Sequence, residues 1–96
     1  MEVTHHPLVK QDVVTALKYY SEISPGLAAE FELELRELIA KAKDNPLRFH
    51  PVDRGFRRAN LRRFPYHIPY EVRAESVCVM LVRHNKRHPD YGMERT

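Results

Sequence analysis

The chain of 96 residues holds a single cysteine, three glycines and no long apolar run, and each scarcity excludes something. A lone cysteine closes no internal disulfide; Cys78, set among Val77, Val79 and Met80, reads as core filling in a reducing compartment. A strand interior gives its thiol neither a base nor access, so no nucleophilic role is expected there. No segment approaches the roughly 18 apolar residues that a membrane span requires, and the opening MEVTHHPLVK has no apolar run behind a basic region. A soluble, unexported, cytoplasmic protein is expected. There is no Gly-rich phosphate loop, GxSxG elbow or HExxH motif, and no repeat, low-complexity tract or Gly/Ser linker. We therefore expect one domain over residues 1–96, with a core of modest size.

Charge is present but unevenly spread. Residues 1–45 carry five Lys/Arg against eight Asp/Glu, a net of −3, while residues 46–96 carry eleven against five, a net of +6. Such a half builds a positive potential over one face and attracts nucleic acid or an acidic protein segment. The stretch from Gly55 to Tyr91 sets two arginine pairs ahead of two apolar-patterned strands and ends in cations, imidazoles and a tyrosine.

Periodicity supplies the elements. Val3 and Thr4 suit a short first strand, and Pro7 suits the first turn of a helix. Val9, Val13, Ala16, Leu17 and Tyr20 then follow helical spacing to Ile23, where Ser24-Pro25 stops one helix and caps the next. Leu27, Phe31, Leu35, Leu38, Ile39 and Ala42 line one face of that second helix, which Asn45-Pro46 ends. Asp44 to Gly55 reads as a loop. Phe56 to Leu61 is a strand, and from Tyr66 the period is two: Tyr66, Ile68, Tyr70 and Val72 point one way, His67, Pro69, Glu71 and Arg73 the other, with only one face covered. Pro69 has no N–H to donate, so its strand is expected to be unpaired or bulged there. Val77 to Val82, apolar on both faces, belongs mid-sheet and forms a hairpin with its predecessor. The expected fold is α+β, in the order β-α-α-β-β-β, a small, mostly antiparallel sheet packed on an N-terminal helical hairpin.

That order, with ALKYYSEISPGLAAEFELELRELI, GFRRANLRRFPYHIPYEV and VMLVRHNKRHPDY, resembles the RelE/ParE superfamily of toxins from bacterial type II toxin–antitoxin modules, and ParE more than RelE. The most specific parts are Tyr66, Ile68 and Tyr70 in their strand, and the apolar strand running into His84 and Arg87. The resemblance implies a plasmid stabilisation-like toxin, neutralised by a cognate antitoxin that wraps it. Operator DNA would then be reached only through that antitoxin. One branch cleaves mRNA in the ribosome and the ParE branch poisons DNA gyrase, so the fold alone does not choose. Of the residues typical of the mRNA-cutting branch, Arg58 fits the second strand. Asn60 stands where a second cation is expected, His67 replaces a third-strand arginine, and Arg83 or Arg87 and Tyr91 fill the remaining roles.

Cleavage by a 2′-hydroxyl needs a base, a cation on the phosphate and an acid. On an exposed strand face His67 suits the base, with Arg58 or Arg83 paired to the phosphate and Tyr91 or His84 nearby, Arg87 standing as the alternative to Arg83 in the set; otherwise His67 is only an outward polar residue. Arg57, Arg58, Arg62 and Arg63 suit bidentate contact with an antitoxin's carboxylates, more than with nucleic acid, or else form a solvated strand and turn. Alternation sends Arg57 and Arg58 to opposite faces. Arg83, His84, Lys86 and Arg87 open the C-terminal segment, 83–95, expected to contact the target. His84 and His88 meet only on a helix, which Pro89 interrupts, and no third ligand joins them, so neither metal nor cofactor is expected. Tyr19, Tyr20 and Phe31 read as core or antitoxin groove rather than a base-stacking platform, and Glu30, Glu34 and Glu37 as a solvated helix face. Three readings follow: a gyrase-directed ParE-like toxin, a RelE-like ribosome-dependent endoribonuclease, and an inactive protein that only binds its antitoxin.

Overall fold

The computed structural model describes residues 1–95. Strand β1 (Glu2–His5) leads into helix α1 (Val9–Ile23), helix α2 (Pro25–Asp44), strand β2 (His50–Pro51), a 3-10 turn over Asp53–Gly55, and strands β3 (Phe56–Asn60), β4 (Tyr66–Val72), β5 (Ser76–Val79) and β6 (Arg83–His84). The sheet runs β1-β5-β4-β3-β2, with β6 pairing β4 beyond the end of β5. All pairings are antiparallel except β1 with β5.

Local chemistry sets the boundaries. Pro7 lies in the turn before α1 rather than in its first coil, and His6 makes the entry: its Nδ1 accepts the Leu8 N–H at 3.1 Å and its carbonyl the Val9 N–H at 2.9 Å. Ser24 ends α1 and begins α2 by backbone alone, since its hydroxyl makes no cap bond while its carbonyl takes the N–H groups of Leu27 and Ala28. Pro25, lacking an N–H, fills a first-turn position where that donor has no helical partner. The loop from Asp44 is shorter than expected because β2 and the 3-10 turn occupy its second half.

Pro69 explains why the apolar segment Val77–Val82 is two strands and not one. Tyr70 pairs Val79, yet His67 pairs Arg83, so Met80, Leu81 and Val82 stand opposite only Ile68 and Pro69. One residue is extra, a β-bulge. The Pro69 carbonyl faces this side and accepts the Met80 N–H at 3.0 Å. Its nitrogen faces the same neighbour and donates nothing, so the ladder loosens there, as the sequence required.

The helical hairpin covers one face of the sheet. Phe31, Ile68, Tyr70, Val77 and Val79 have no exposed surface. An aromatic ladder crosses the interface: Phe31 lies 5.4 Å from Tyr20, 5.2 Å from Phe64 and 5.1 Å from Tyr66, centroid to centroid. The Tyr70 hydroxyl donates to the Pro46 carbonyl and ties down the chain after α2. The other face is covered too, contrary to expectation for the strand from Tyr66 but in keeping with Val77–Val82, which is apolar on both faces. Phe56, Cys78, Met80 and Leu81 form a second cluster on which Met93 packs. Gly92, at φ 82°, permits that contact, because a Cβ there would collide with Leu81. The C-terminal segment is thus a strap across the sheet. Arg95 fastens it through a bidentate pair to Asp12 on α1, at 2.7 and 3.0 Å, and a third bond to the Met80 carbonyl; Asp12 also takes the Val82 N–H at 3.0 Å.

Candidate functional site

His67 is the point at which the structure most changes the sequence reading. It is 1 % exposed, not outward in solvent, because the strap lies over its face. Arg83 Nε donates to its Nε2 at 2.9 Å, and a guanidinium can only donate, so Nε2 is the acceptor. The ring proton therefore sits on Nδ1, which donates to Asn85 Oδ1 at 2.7 Å. Burial pulls the His67 pKa from 6.5 to about 4, with the Asn85 bond opposing and the charges of Arg58 and Arg83 adding to the fall. At neutral pH it is an uncharged imidazole with both nitrogens engaged.

Arg83, 7 % exposed, is equally committed. Its Nη1 donates to the carbonyls of Pro89 at 2.7 Å and Tyr91 at 3.0 Å, holding the strap against β6. Burial, and then the Arg58 charge, lower its pKa. Arg58 extends on this same face, its Nε on Asn60 Oδ1 at 2.9 Å, so Asn60 orients that cation instead of supplying another. Arg57 goes to the opposite side, as alternation required, and donates to the carbonyls of Phe49 at 2.8 Å and Leu47 at 3.4 Å.

The second arginine pair lies on the helix side. Glu34 accepts the backbone N–H groups of Arg62 and Arg63, and Glu30 pairs the Arg63 guanidinium at 2.7 Å. These acids are therefore not merely a solvated helix face: they clamp the β3–β4 turn onto α2. A groove of about 620 Å³ follows, with Leu33, Glu37, Lys41, Arg48 and Arg62 among its walls. Leu33 is 59 % exposed there.

At the far end of the sheet the remaining predicted residues meet. The His84 ring lies 4.9 Å from Tyr66, and the Arg87 guanidinium stands 4.8 Å over the Tyr91 ring. Tyr66 packs back on Phe31, so the outer rings stand on the core ladder. Burial first, and then Tyr19, raise the Tyr66 pKa against the opposing charge of Arg87, which joins α1 to this cluster. Tyr19 and Tyr91 stay exposed. Among the described residues, Lys86 and Arg87 have no acidic partner within ion-pair distance. Rigid aromatic rings beside unpaired cations suit a protein partner, where Tyr and Arg anchors supply most binding energy. His84 and His88 act as turn caps, each Nδ1 accepting an N–H two residues on, at 3.0 and 3.1 Å.

Sequence reasoning missed Asn85, Asp12, Arg95 and the exposure of Tyr19. A signal existed for the last alone: Tyr19 and Tyr20 are neighbours on a helix, about 100° apart, so both cannot face one core.

Comparison with known proteins adds the family. The family model described as the ParE toxin of the type II toxin–antitoxin system, parDE, matches residues 3–89. A chain of the chromosomal ParDE toxin–antitoxin system from P. aeruginosa superposes with a TM-score of 0.77 at 18 % identity, over 88 % of this chain and 95 % of that one. No curated protein matches in sequence.

Proposed function

The chain belongs to the ParE toxin family of type II toxin–antitoxin systems, and from that premise we propose a cytoplasmic toxin, silenced by a cognate antitoxin, that stops growth by binding DNA gyrase. The observation that carries the choice against RNA cleavage is the wiring of His67. A general base needs a free lone pair within reach of the proton it takes. Here one nitrogen accepts from Arg83, the other carries a proton held by Asn85, and the ring is buried. Arg83 is turned inward to the strap, so the pair that sequence assigned to base and phosphate holder serves to hold the chain together.

Target contact is assigned to the opposite character of surface: Arg87 over Tyr91, His84 beside Tyr66, the Lys86 cation and exposed Tyr19. Antitoxin contact is assigned to the groove between α2 and the β3–β4 turn, where Leu33 offers an apolar anchor and Arg62 a cation for a carboxylate. Operator DNA is reached through the antitoxin.

The test is controlled expression in bacteria with DNA-damage signalling and global translation followed in one culture. Early damage signalling with translation intact is expected, weakened by Arg87→Ala with Tyr91→Ala and retained by His67→Gln. An immediate translation stop with cut transcripts, abolished by His67→Gln, would establish the ribonuclease reading instead. Absence of any growth defect from the folded protein would leave only antitoxin binding. Co-purification with the product of the neighbouring gene tests the antitoxin itself, and failure of a complex to form counts against that assignment.

A further inference from the structure

Between the strap, the 3-10 turn and the sheet lies a cavity of about 280 Å³, apart from both surfaces assigned above. Arg54, Arg58 and Arg83 line it, with Phe56, Pro69 and Met93 as its apolar wall. We propose that this cavity is a binding site for a small organic oxyanion, a phosphate monoester by charge and size, held by Arg58 and Arg83 with Arg54 at the mouth.

The argument starts from an electrostatic imbalance. Arg83 is 7 % exposed, and its hydrogen bonds end on neutral groups: an imidazole nitrogen and two backbone carbonyls. No carboxylate lies within ion-pair distance of it, of Arg58 or of Arg54 among the described residues. A charge withdrawn from water is costly unless paired, and here burial and then the Arg58 cation both act against the Arg83 charge, with only the more distant Asp90 carboxylate in its favour. The neighbouring imidazole gives no relief, because His67 is neutral and its lone pair is already spent on Arg83. An anion in the cavity would balance the excess, taken bidentately by the two terminal nitrogens of Arg58, of which only Nε is engaged, and bonded by Arg83 through Nη2, since its Nε and Nη1 are committed to His67 and the strap carbonyls.

The rim sets the ligand's charge. Asp53 and Asp90 also line the cavity, and Asp90 lies 3.7 Å from His88 in the open. Three arginines against two aspartates leave one net positive charge, which favours a singly or doubly charged ligand and disfavours a polyanion such as a nucleic-acid backbone. The space exceeds what a bare phosphate needs, and the Phe56, Pro69 and Met93 wall suits an attached carbon skeleton.

The experiment is calorimetric titration of the purified protein with inorganic phosphate and with phenyl phosphate, against sodium chloride at matched ionic strength. Saturable binding of phenyl phosphate, tighter than that of inorganic phosphate, is expected. Arg58→Gln, which leaves the buried Arg83 in place, should weaken it about tenfold or more, the loss of one charged hydrogen-bonding group. Arg54→Gly removes a cation where the backbone stands at φ 65°, which glycine adopts without strain, so the fold is kept and a smaller loss is expected. Heats matching those of chloride, or affinity unchanged in Arg58→Gln with native circular dichroism, overturn the proposal. This outcome is independent of the gyrase reading, which makes no use of the cavity.

Discussion

The two faces of the sheet are closed by different physics. On the hairpin side, Phe31, Ile68, Tyr70, Val77 and Val79 lie wholly out of water and the contacts are aromatic and aliphatic. On the strap side a smaller apolar cluster is supplemented by directional bonds from two arginines, Arg83 to the Pro89 and Tyr91 carbonyls and Arg95 to Asp12. Hydrophobic burial scales with area and tolerates change of detail, whereas charged hydrogen bonds depend on protonation and on each partner being present. The hairpin side therefore sets global stability and the strap side sets what is displayed. The cluster of Tyr66, His84, Arg87 and Tyr91 stands where the two meet, resting on the aromatic ladder and shaped by the strap.

The largest expected break in that contrast is on the hairpin side. Phe31→Ala removes the centre of the ladder and should cost about 3–5 kcal/mol, read as a lower urea midpoint of the whole chain. A cost under about 1 kcal/mol would mean the ladder is not the core of the fold.

A pH titration separates the faces next. Folded His67 has its pKa lowered from 6.5 to about 4, so protons bind the unfolded chain better. Stability from this group is complete above pH 6.5 and is lost as pH falls toward 4, by about 3 kcal/mol in all. In His67→Gln this component of the loss should vanish, in melts followed across that window. An undiminished acid slope in that variant would place the dependence elsewhere.

Asp12→Asn probes the strap together with its anchor at the Val82 N–H. The Asp12 and Arg95 side chains are 9 and 8 % exposed. Loss of the charged bonds should cost about 1.5–3 kcal/mol, less than breaking an interior pair, because the strap can lift and rehydrate. Hydrogen exchange should rise in residues 80–95 and stay slow in the two helices; uniform acceleration would contradict a local strap. The smallest effect is expected from Arg63→Ala, whose pair with Glu30 is open to solvent, at about 0–1 kcal/mol in a melt at low salt.

The contrast also sorts what could be read from sequence. The hairpin side was legible because periodic apolar residues announce their elements, down to the stop at Ser24-Pro25 and the interruption opposite Pro69. The strap side was not. Residues 83–95 are polar, and their hold on the sheet comes from Arg83 and Arg95 bonding to carbonyls and to Asp12, contacts that span up to 83 positions and leave no period. The apolar traces were Met93 beside Gly92 and, on the sheet it covers, the second apolar face of Val77–Val82. His67 was misplaced for the same reason, since strand alternation gives a side but not what covers it. Arg57 and Arg58 were rightly divided between faces because alternation alone decides that.

The most direct test of the central claim, a target-binding toxin whose would-be catalytic pair is structural, sets purified protein against DNA gyrase and against mRNA on ribosomes in parallel. The expected result is gyrase inhibition by wild type and by His67→Gln alike, weakened by Arg87→Ala with Tyr91→Ala, with the transcripts intact. Cut transcripts from wild type and none from His67→Gln, with gyrase untouched, would contradict it.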